Sequence, residues 1–189
     1  MFLLTRPSAE QIDAFLERSR RLPLSDDPIG LAGQPTPGFS RDELTTPVGR
    51  GPEAFERASA ALERWAHFNL GWVEVFPGNA PLTEGTTVGV VVRHLGFWSM
   101  NGCRVVYGIG RRGTGEFGYA YGTLTNHAER GEEIFKVTLD PRSGQVGYTI
   151  RAASQPRAAL ATLGYPVTRL LQARFRRDSA AAMVREAAG

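Results

Sequence analysis

A succession of short β-patterned segments, followed by a long amphipathic segment, is the feature that most constrains the fold of this chain. Between residues 72 and 152, runs with apolar residues at alternate positions are separated by turns rich in Gly and Asn. The clearest pair lies in residues 115–139, where Tyr119 and Tyr121 alternate in one run and Glu133, Phe135 and Val137 alternate in the next. Short connections predict an antiparallel meander, and one face of such a sheet needs a helix or a second sheet to cover it.

The cover is expected from residues 156–187, which carry apolar side chains at helical spacing. These are Leu160, Leu163, Val167, Leu170, Leu171, Phe175, Met183 and Val184. Gly164, Tyr165 and Pro166 interrupt the pattern, which predicts a long helix with an early kink or break. The other side carries several arginines, for which a solvated outer face is the simpler interpretation and an anionic surface the sharper one.

Two shorter helices are predicted before the strands. Ser8 and Gln11 form a capping-box pattern, so a helix of about three turns should follow and end at Pro23. Residues 23–52 are dense in Pro and Gly and read as a connecting arm, with one short strand near 44–48. The second helix begins at Pro52, and its apolar face consists of Phe55, Ala58, Leu62 and Trp65.

Composition excludes several classes of protein. The net charge of +3 is spread along 189 residues, which argues against a specific nucleic-acid binder. The single cysteine, Cys103, cannot form an intrachain disulfide or a Cys-rich metal site, and it fits a reducing cytoplasm, so a cytoplasmic protein is expected. We expect neither a signal sequence nor a transmembrane helix, because no sufficiently long apolar run is present.

Two local motifs resemble cofactor sites but lack their second halves. Residues 108–113 match Gly-x-Gly-x-x-Gly, yet a strand rather than a helix should follow, so we interpret them as a glycine-rich turn. His127 and Glu129 match the His-x-Glu of zinc deaminases, whose Cys-x-x-Cys partner cannot be built from one cysteine. The sequence therefore predicts no metal and no cofactor.

The polar turn after Leu124 holds the candidate catalytic groups, His127, Glu129, Glu132 and Glu133. A histidine near carboxylates can act as a general acid or base, but charged turns that serve only the backbone are far commoner. Glu132 and Glu133 should point to opposite faces of their strand, and a buried carboxylate would need a partner such as Arg104 or Arg151.

Several ordered sequence blocks resemble the DUF1990 family. They run from Phe55-Glu-Arg-Ala58 and Gly71-Trp72-Val73 through Arg104-Val-Val-Tyr107 and Phe117-Gly-Tyr-Ala-Tyr-Gly-Thr-Leu124 to His127-x-Glu129-x-Gly131-Glu-Glu-x-Phe135 and Ser154-x-Pro156. The resemblance implies a Bet v 1-like, or START-like, helix-grip fold of the α+β class, in which a curved antiparallel sheet wraps around a long C-terminal helix. It also implies one domain over 1–189, with an N-terminal helix and arm in 1–38 and the helix-grip core in 39–189.

Three functions remain open. The first is binding of a small, largely apolar ligand between the sheet and the C-terminal helix, as helix-grip proteins commonly do. Its expected contacts are Trp72, Arg104, Tyr107, Tyr119, Tyr121, Glu133 and Phe135. The second is a hydrolase or isomerase that uses His127 with its neighbouring carboxylates. The third and weakest is binding of an anionic membrane or nucleic acid by the arginines of the C-terminal helix.

Overall fold

The computed structural model describes residues 2–25, 29–156 and 165–188. The helices are α1 (Ala9–Arg20), α2 (Gly51–Glu63) and α3 (Tyr165–Ala188), with 3₁₀ turns at Leu31–Gly33 and Ala66–Phe68. The strands are β1 (Phe2–Leu3), β2 (Ser40–Arg50), β3 (Val73–Phe76), β4 (Thr87–His94), β5 (Phe97–Arg111), β6 (Glu116–Thr123), β7 (Glu129–Leu139) and β8 (Gln145–Pro156).

All strands belong to one antiparallel sheet. Its order is β2-β8-β7-β6-β5-β4-β3, and the short β1 pairs with β5. From β3 to β8 each strand pairs with the next along the chain, which is the predicted meander. β2 comes early in the chain and joins the sheet at its edge, beside the last strand.

Helices α2 and α3 cover one face of this sheet, which we call the inner face. The core between them consists of side chains from α2, α3 and alternate positions of the strands. Phe55, Ala58, Leu62 and Trp65 are all buried there, as the helical pattern predicts. The predicted helix-grip architecture, with a curved sheet around a long C-terminal helix, is confirmed.

The opposite face of the sheet, the outer face, is covered by the N-terminal part of the chain. Helix α1 begins with the predicted capping box of Ser8 and Gln11 and packs Phe15 and Leu16 against β4 and β5. Beside it, Leu31 and Ala32 pack against side chains of β5, β6 and β7. The additional N-terminal helix therefore serves to bury an apolar surface of the sheet.

The main departure from prediction is β2. The Pro/Gly-rich segment was expected to be a connecting arm with a short strand, but its second half is an eleven-residue strand paired with β8. Pro47 is tolerated because β2 is an edge strand with only one hydrogen-bonded neighbour, and the pairing shifts register between Pro47 and Gly49.

Helix α3 is less amphipathic than its sequence suggests. Phe175 and Met183 are buried as expected, whereas Val167, Leu170 and Val184 are exposed. Leu160, Leu163 and Gly164, and with them the predicted kink, lie outside the described residues or at their border. Among the residues described, no helix is both long and apolar enough to cross a membrane.

Candidate functional site

A row of polar side chains crosses the inner face at one end of the sheet. Asp42 on β2 pairs with Ala152 on β8, Ala152 pairs with Glu133 on β7, and Glu133 pairs with Tyr121 on β6. Cross-strand partners point to the same face, so Asp42, Glu133 and Tyr121 all face helix α3. Ala152, the residue between the two carboxyl groups in this row, contributes no polar side chain.

Glu133 and Tyr121 form a direct pair within this row. The Tyr121 hydroxyl donates to Oε2 of Glu133 over 2.5 Å. Burial raises the pKa of Glu133 to about 7, with a further upward contribution from the charge of Glu129, while the Tyr121 hydrogen bond and Arg176 oppose the increase. Glu133 therefore exchanges a proton near neutral pH.

Helix α3 supplies the opposite charges. Arg169, Gln172 and Arg176 lie on one face of its N-terminal half, three and four residues apart. Arg169 binds both oxygens of Asp42, with a 2.8 Å contact from Nη2 to Oδ1, and Arg176 approaches the same Oδ1 at 3.1 Å. Asp42 is 11% exposed, so the two guanidinium groups share a largely buried carboxylate.

Glu129 and Ser154 complete this arrangement. Gln172 donates from Nε2 to both oxygens of Glu129, at 2.9 and 3.0 Å, and to Oγ of Ser154 at 3.2 Å. Burial raises the pKa of Glu129, although its bond to Gln172 and the charge of Arg169 act in the other direction. We call the whole set the polar cluster: Asp42, Tyr121, Glu129, Glu133, Ser154, Arg169, Gln172 and Arg176.

An aromatic layer lies directly behind the polar cluster. The rings of Phe68, Phe135 and Phe175 contact one another, with Phe68 and Phe135 also against Tyr121. Phe135 is fully buried and Phe175 is 9% exposed. This part of the sheet–helix interior is occupied by side chains, and the polar cluster forms its end.

A second buried polar pair lies deeper in this core. His67 contacts the Tyr119 hydroxyl through Nε2 at 2.8 Å, and both side chains are fully buried. Burial lowers the pKa of His67 to about 3, so the imidazole is neutral at physiological pH. Its Nδ1 is buried without a hydrogen-bond partner among the described residues. Tyr119 is thus a core residue whose hydroxyl is the hydrogen-bond partner of Nε2 of His67.

The sequence-predicted site residues divide between the two faces of the sheet. Tyr121, Glu133 and Phe135 meet at the polar cluster, with Tyr119 behind them. Trp72 is on the same face but contacts a later part of α3. Its indole N–H donates to Asp178 at 3.0 Å, and its ring centroid lies 4.2 Å from the guanidinium carbon of Arg174.

Tyr107 and Arg104 occupy the outer face, which corrects their expected place beside the other five. A register shift between Val105 and Tyr107 turns the Tyr107 side chain outward, where its hydroxyl donates to Glu132 at 2.9 Å. Arg104 donates to Thr87 and to the carbonyl groups of Ser19 and Arg20 at the end of α1. It also lines an open groove of about 540 Å³ beside these residues.

The four candidate catalytic residues also separate. Glu132 is on the outer face, where it accepts hydrogen bonds from the backbone amides of Gly30 and Ala32 and so fixes the 3₁₀ turn there. Nδ1 of His127 accepts the Glu129 amide at 2.9 Å, which ties the imidazole to its own turn. Only Glu129 and Glu133 reach the polar cluster. Arg151, a suggested partner for a buried carboxylate, pairs with Glu43 instead.

Sequence reasoning missed the helix side of the cluster and its β2 carboxylate. Arg169 and Arg176 were grouped with arginines of a solvated face, and Asp42 lay in the presumed arm. The spacing Arg169-x-x-Gln172-x-x-x-Arg176 was the available signal, since it marks a polar stripe on one helix face. No group of three or more His, Cys, Asp or Glu side chains in the described parts of the chain is arranged to hold a metal ion.

Comparison with known proteins identifies the family. The family described as "Domain of unknown function (DUF1990)" matches residues 27–182. A UPF0548 protein of Dictyostelium discoideum is 39% identical over 156 residues, which cover 78% of this chain and 72% of the relative. This chain belongs to the DUF1990 family. The match includes every residue of the polar cluster and begins after α1.

A further relative and a solved structure of similar fold extend the comparison. A UPF0548 protein of Deinococcus radiodurans is 34% identical over 201 residues, and the alignment covers 99% of each chain. Among solved structures, the hypothetical protein jhp0584 from Helicobacter pylori aligns with a TM-score of 0.57 at 10% identity, over 86% of this chain and 95% of its own. At this low identity the structural likeness bears on the fold alone.

Proposed function

We propose that this DUF1990 protein binds a small, largely apolar molecule at the polar cluster, with Glu133 as the anchor for a polar group of the ligand. One observation carries the proposal. Oε2 of Glu133 is bonded to Tyr121, while Oε1 has no hydrogen-bond donor among the described residues. A partly buried carboxyl group with one open position is a directed contact for a ligand donor or acceptor.

The surroundings of Glu133 favour a ligand that has both an apolar part and a polar group. The rings of Phe68, Phe135 and Phe175 are buried behind the carboxyl group, and the apolar part of a ligand would contact them once side chains at this end of the interior move aside. The carboxylates of Asp42 and Glu129 balance the two guanidinium groups of Arg169 and Arg176, so a neutral Glu133 leaves the cluster without net charge. A ligand with an apolar body and one hydroxyl, carbonyl or amine group matches this division.

Native mass spectrometry of the protein after incubation with an organic extract of its expression host tests this proposal. The wild-type protein should retain a small molecule, and Glu133→Gln should retain at least about fivefold less because it alters the hydrogen-bonding atoms of the anchor. The control Glu116→Gln removes a carboxylate that pairs with Lys136 at the surface. Equal retention by the Glu133 variant, or no retained molecule in any variant, would count against the proposal.

A second candidate function is proton transfer on the bound molecule. The pKa of Glu133 near 7 supports it, because a general acid or base works best when its pKa is close to the working pH. In this form of the enzyme hypothesis Glu133 and Tyr121 replace His127 as the reacting groups. Turnover that persists in Glu133→Gln, measured on any molecule identified by the retention experiment, would exclude this role.

A further inference from the structure

The hairpin between β4 and β5 has an unusual turn. Its two central residues are Leu95 and Gly96, with φ of 49° and 82°. Two-residue turns with positive φ at both positions favour Asn, Asp or Gly, since other side chains are strained in the left-handed region. Leu95 is also 73% exposed, so burial does not compensate for that strain. A folding requirement does not explain leucine here, and such local conflicts concentrate at functional positions.

Further apolar side chains extend this exposed surface. Phe97 follows the turn and is 45% exposed. The pairing of β1 with β5 places Leu3 opposite Trp98, so Leu4 continues toward the same end of the sheet, where it is 78% exposed. We call Leu4, Leu95 and Phe97 the apolar tip. Large apolar side chains exposed together mark an interaction surface.

The next residues along both strands are amphipathic. Trp98 is partly buried against α1, and the guanidinium carbon of Arg93 lies 5.9 Å from its ring centroid. Arg6 follows the β1 segment and pairs with Glu74 at 2.7 Å. An apolar end followed by Trp and Arg reproduces the order of side chains found where proteins enter the boundary region of a lipid bilayer.

We propose that the apolar tip inserts into the surface of an anionic lipid membrane. Three side chains present on the order of a few hundred Å², below the roughly 800 Å² that each partner contributes to a stable protein interface. A lipid surface needs no matching groove, and apolar side chains on a projecting turn can enter it directly. The positive charge of Arg93, which is exposed beside the apolar tip, complements anionic headgroups. This inference does not depend on the proposed ligand site.

Co-sedimentation with vesicles of phosphatidylcholine and phosphatidylglycerol provides the test. Wild-type protein should bind, and Leu95→Asn should bind about tenfold more weakly because it removes an inserted apolar side chain. Asn suits the left-handed turn, so this variant should unfold at the same temperature as wild type or higher. The control Val184→Ser changes a side chain that is 39% exposed on α3 and should bind like wild type.

The position of insertion can be read from tryptophan fluorescence with brominated lipids in the same vesicles. Trp65 and Trp72 are buried, at 2% and 8% exposure, so quenching should come from Trp98 and disappear in Trp98→Phe. Absence of vesicle binding by the wild-type protein would overturn the proposal. Unchanged binding by Leu95→Asn, or an equal loss in Val184→Ser, would overturn it as well.

Discussion

Glu132 and Glu133 are consecutive carboxylates with different tasks, because neighbouring side chains of a strand point to opposite faces of the sheet. Glu132 is bonded to two backbone amides and the Tyr107 hydroxyl, so its acceptor positions serve the fold. Glu133 has one bonded oxygen and faces the charged side of α3. The alternation was predictable from sequence, whereas the choice of the inner residue depended on where the helices pack.

The raised pKa of Glu133 has a measurable effect on stability. A carboxyl group that binds its proton more tightly in the folded protein stabilises the fold most below its unfolded pKa of about 4.5. This contribution is lost as the pH rises from there to about 7, and it remains absent above that value. Folding therefore works against ionisation of Glu133 at neutral and alkaline pH.

Glu133→Gln should consequently stabilise the protein at pH 8, by on the order of 3 kcal/mol, because each pKa unit between about 4.5 and about 7 corresponds to about 1.4 kcal/mol. At pH 4.5 the difference should fall to a few tenths of a kcal/mol, roughly RT ln 2, because the wild-type group is protonated in the folded protein and about half protonated in the unfolded chain. Urea denaturation at both pH values measures the difference. A constant difference across this range would show that Glu133 has an ordinary pKa in the folded protein.

The N-terminal half of α3 contacts the sheet through a set of polar side chains as well as through the buried ring of Phe175. Arg169, Gln172 and Arg176 bind side chains of β2, β7 and β8, while Val167 and Leu170 on the same half are exposed. The C-terminal half buries Met183 and Ala187 completely or nearly so. Both halves therefore bury apolar side chains, and the N-terminal half has buried polar contacts in addition.

Asp42→Asn should weaken the attachment of the N-terminal half of α3 to the sheet more than that of the C-terminal half. The change removes the negative charge that Arg169 and Arg176 share at a largely buried position, which we expect to cost about 2 kcal/mol of unfolding free energy. Hydrogen exchange should accelerate in the first turns of α3 and remain slow near Met183.

Glu43→Gln is the matched control on the same strand. Glu43 pairs with Arg151 on the other side of β2, and the two side chains are 47% and 29% exposed. Loss of such a surface pair should cost less than about 0.5 kcal/mol. If both substitutions have the same small effect, the polar contacts do not hold α3 in place.

Most elements of this fold could be predicted from local patterns, and the exceptions have physical causes. The capping box of α1, the buried stripe of α2 and the β6–β7 hairpin follow from spacing alone. β2 was missed because Pro47 suggests a loop, while an edge strand leaves one side of its backbone unpaired. Arg176 was assigned to solvent because its partner Asp42 lies more than 130 positions earlier in sequence, a long-range contact that periodicity does not reveal.

At the scale of the whole molecule, the N-terminal segment and the helix-grip core bury apolar side chains against each other. Phe15 of α1 is 4% exposed and packs with Val91 and Met100 of the sheet, while Leu31 packs beside Ile134. The helices α2 and α3 cover only the inner face, so the sheet depends on this segment for burial of its other side. We therefore expect residues 1–189 to unfold as one domain.

A single cooperative transition in chemical denaturation, seen equally by circular dichroism and tryptophan fluorescence, is the predicted behaviour. Phe15→Ala should shift the entire transition and cost about 3–4 kcal/mol, because it leaves a cavity between α1 and the sheet. Two separate transitions, with only the first affected by Phe15→Ala, would show instead that the N-terminal segment is an independent unit.

Protonation of Glu133 near neutral pH is the central property of the polar cluster, and carbon-13 NMR of its side-chain carboxyl group measures it directly. We predict a titration midpoint near pH 7 in the wild-type protein. The midpoint should be higher in Tyr121→Phe, since the lost hydrogen bond favours the ionised form. A midpoint near 4.5 in both proteins would contradict the account, because Glu133 would then be an ordinary solvated carboxylate.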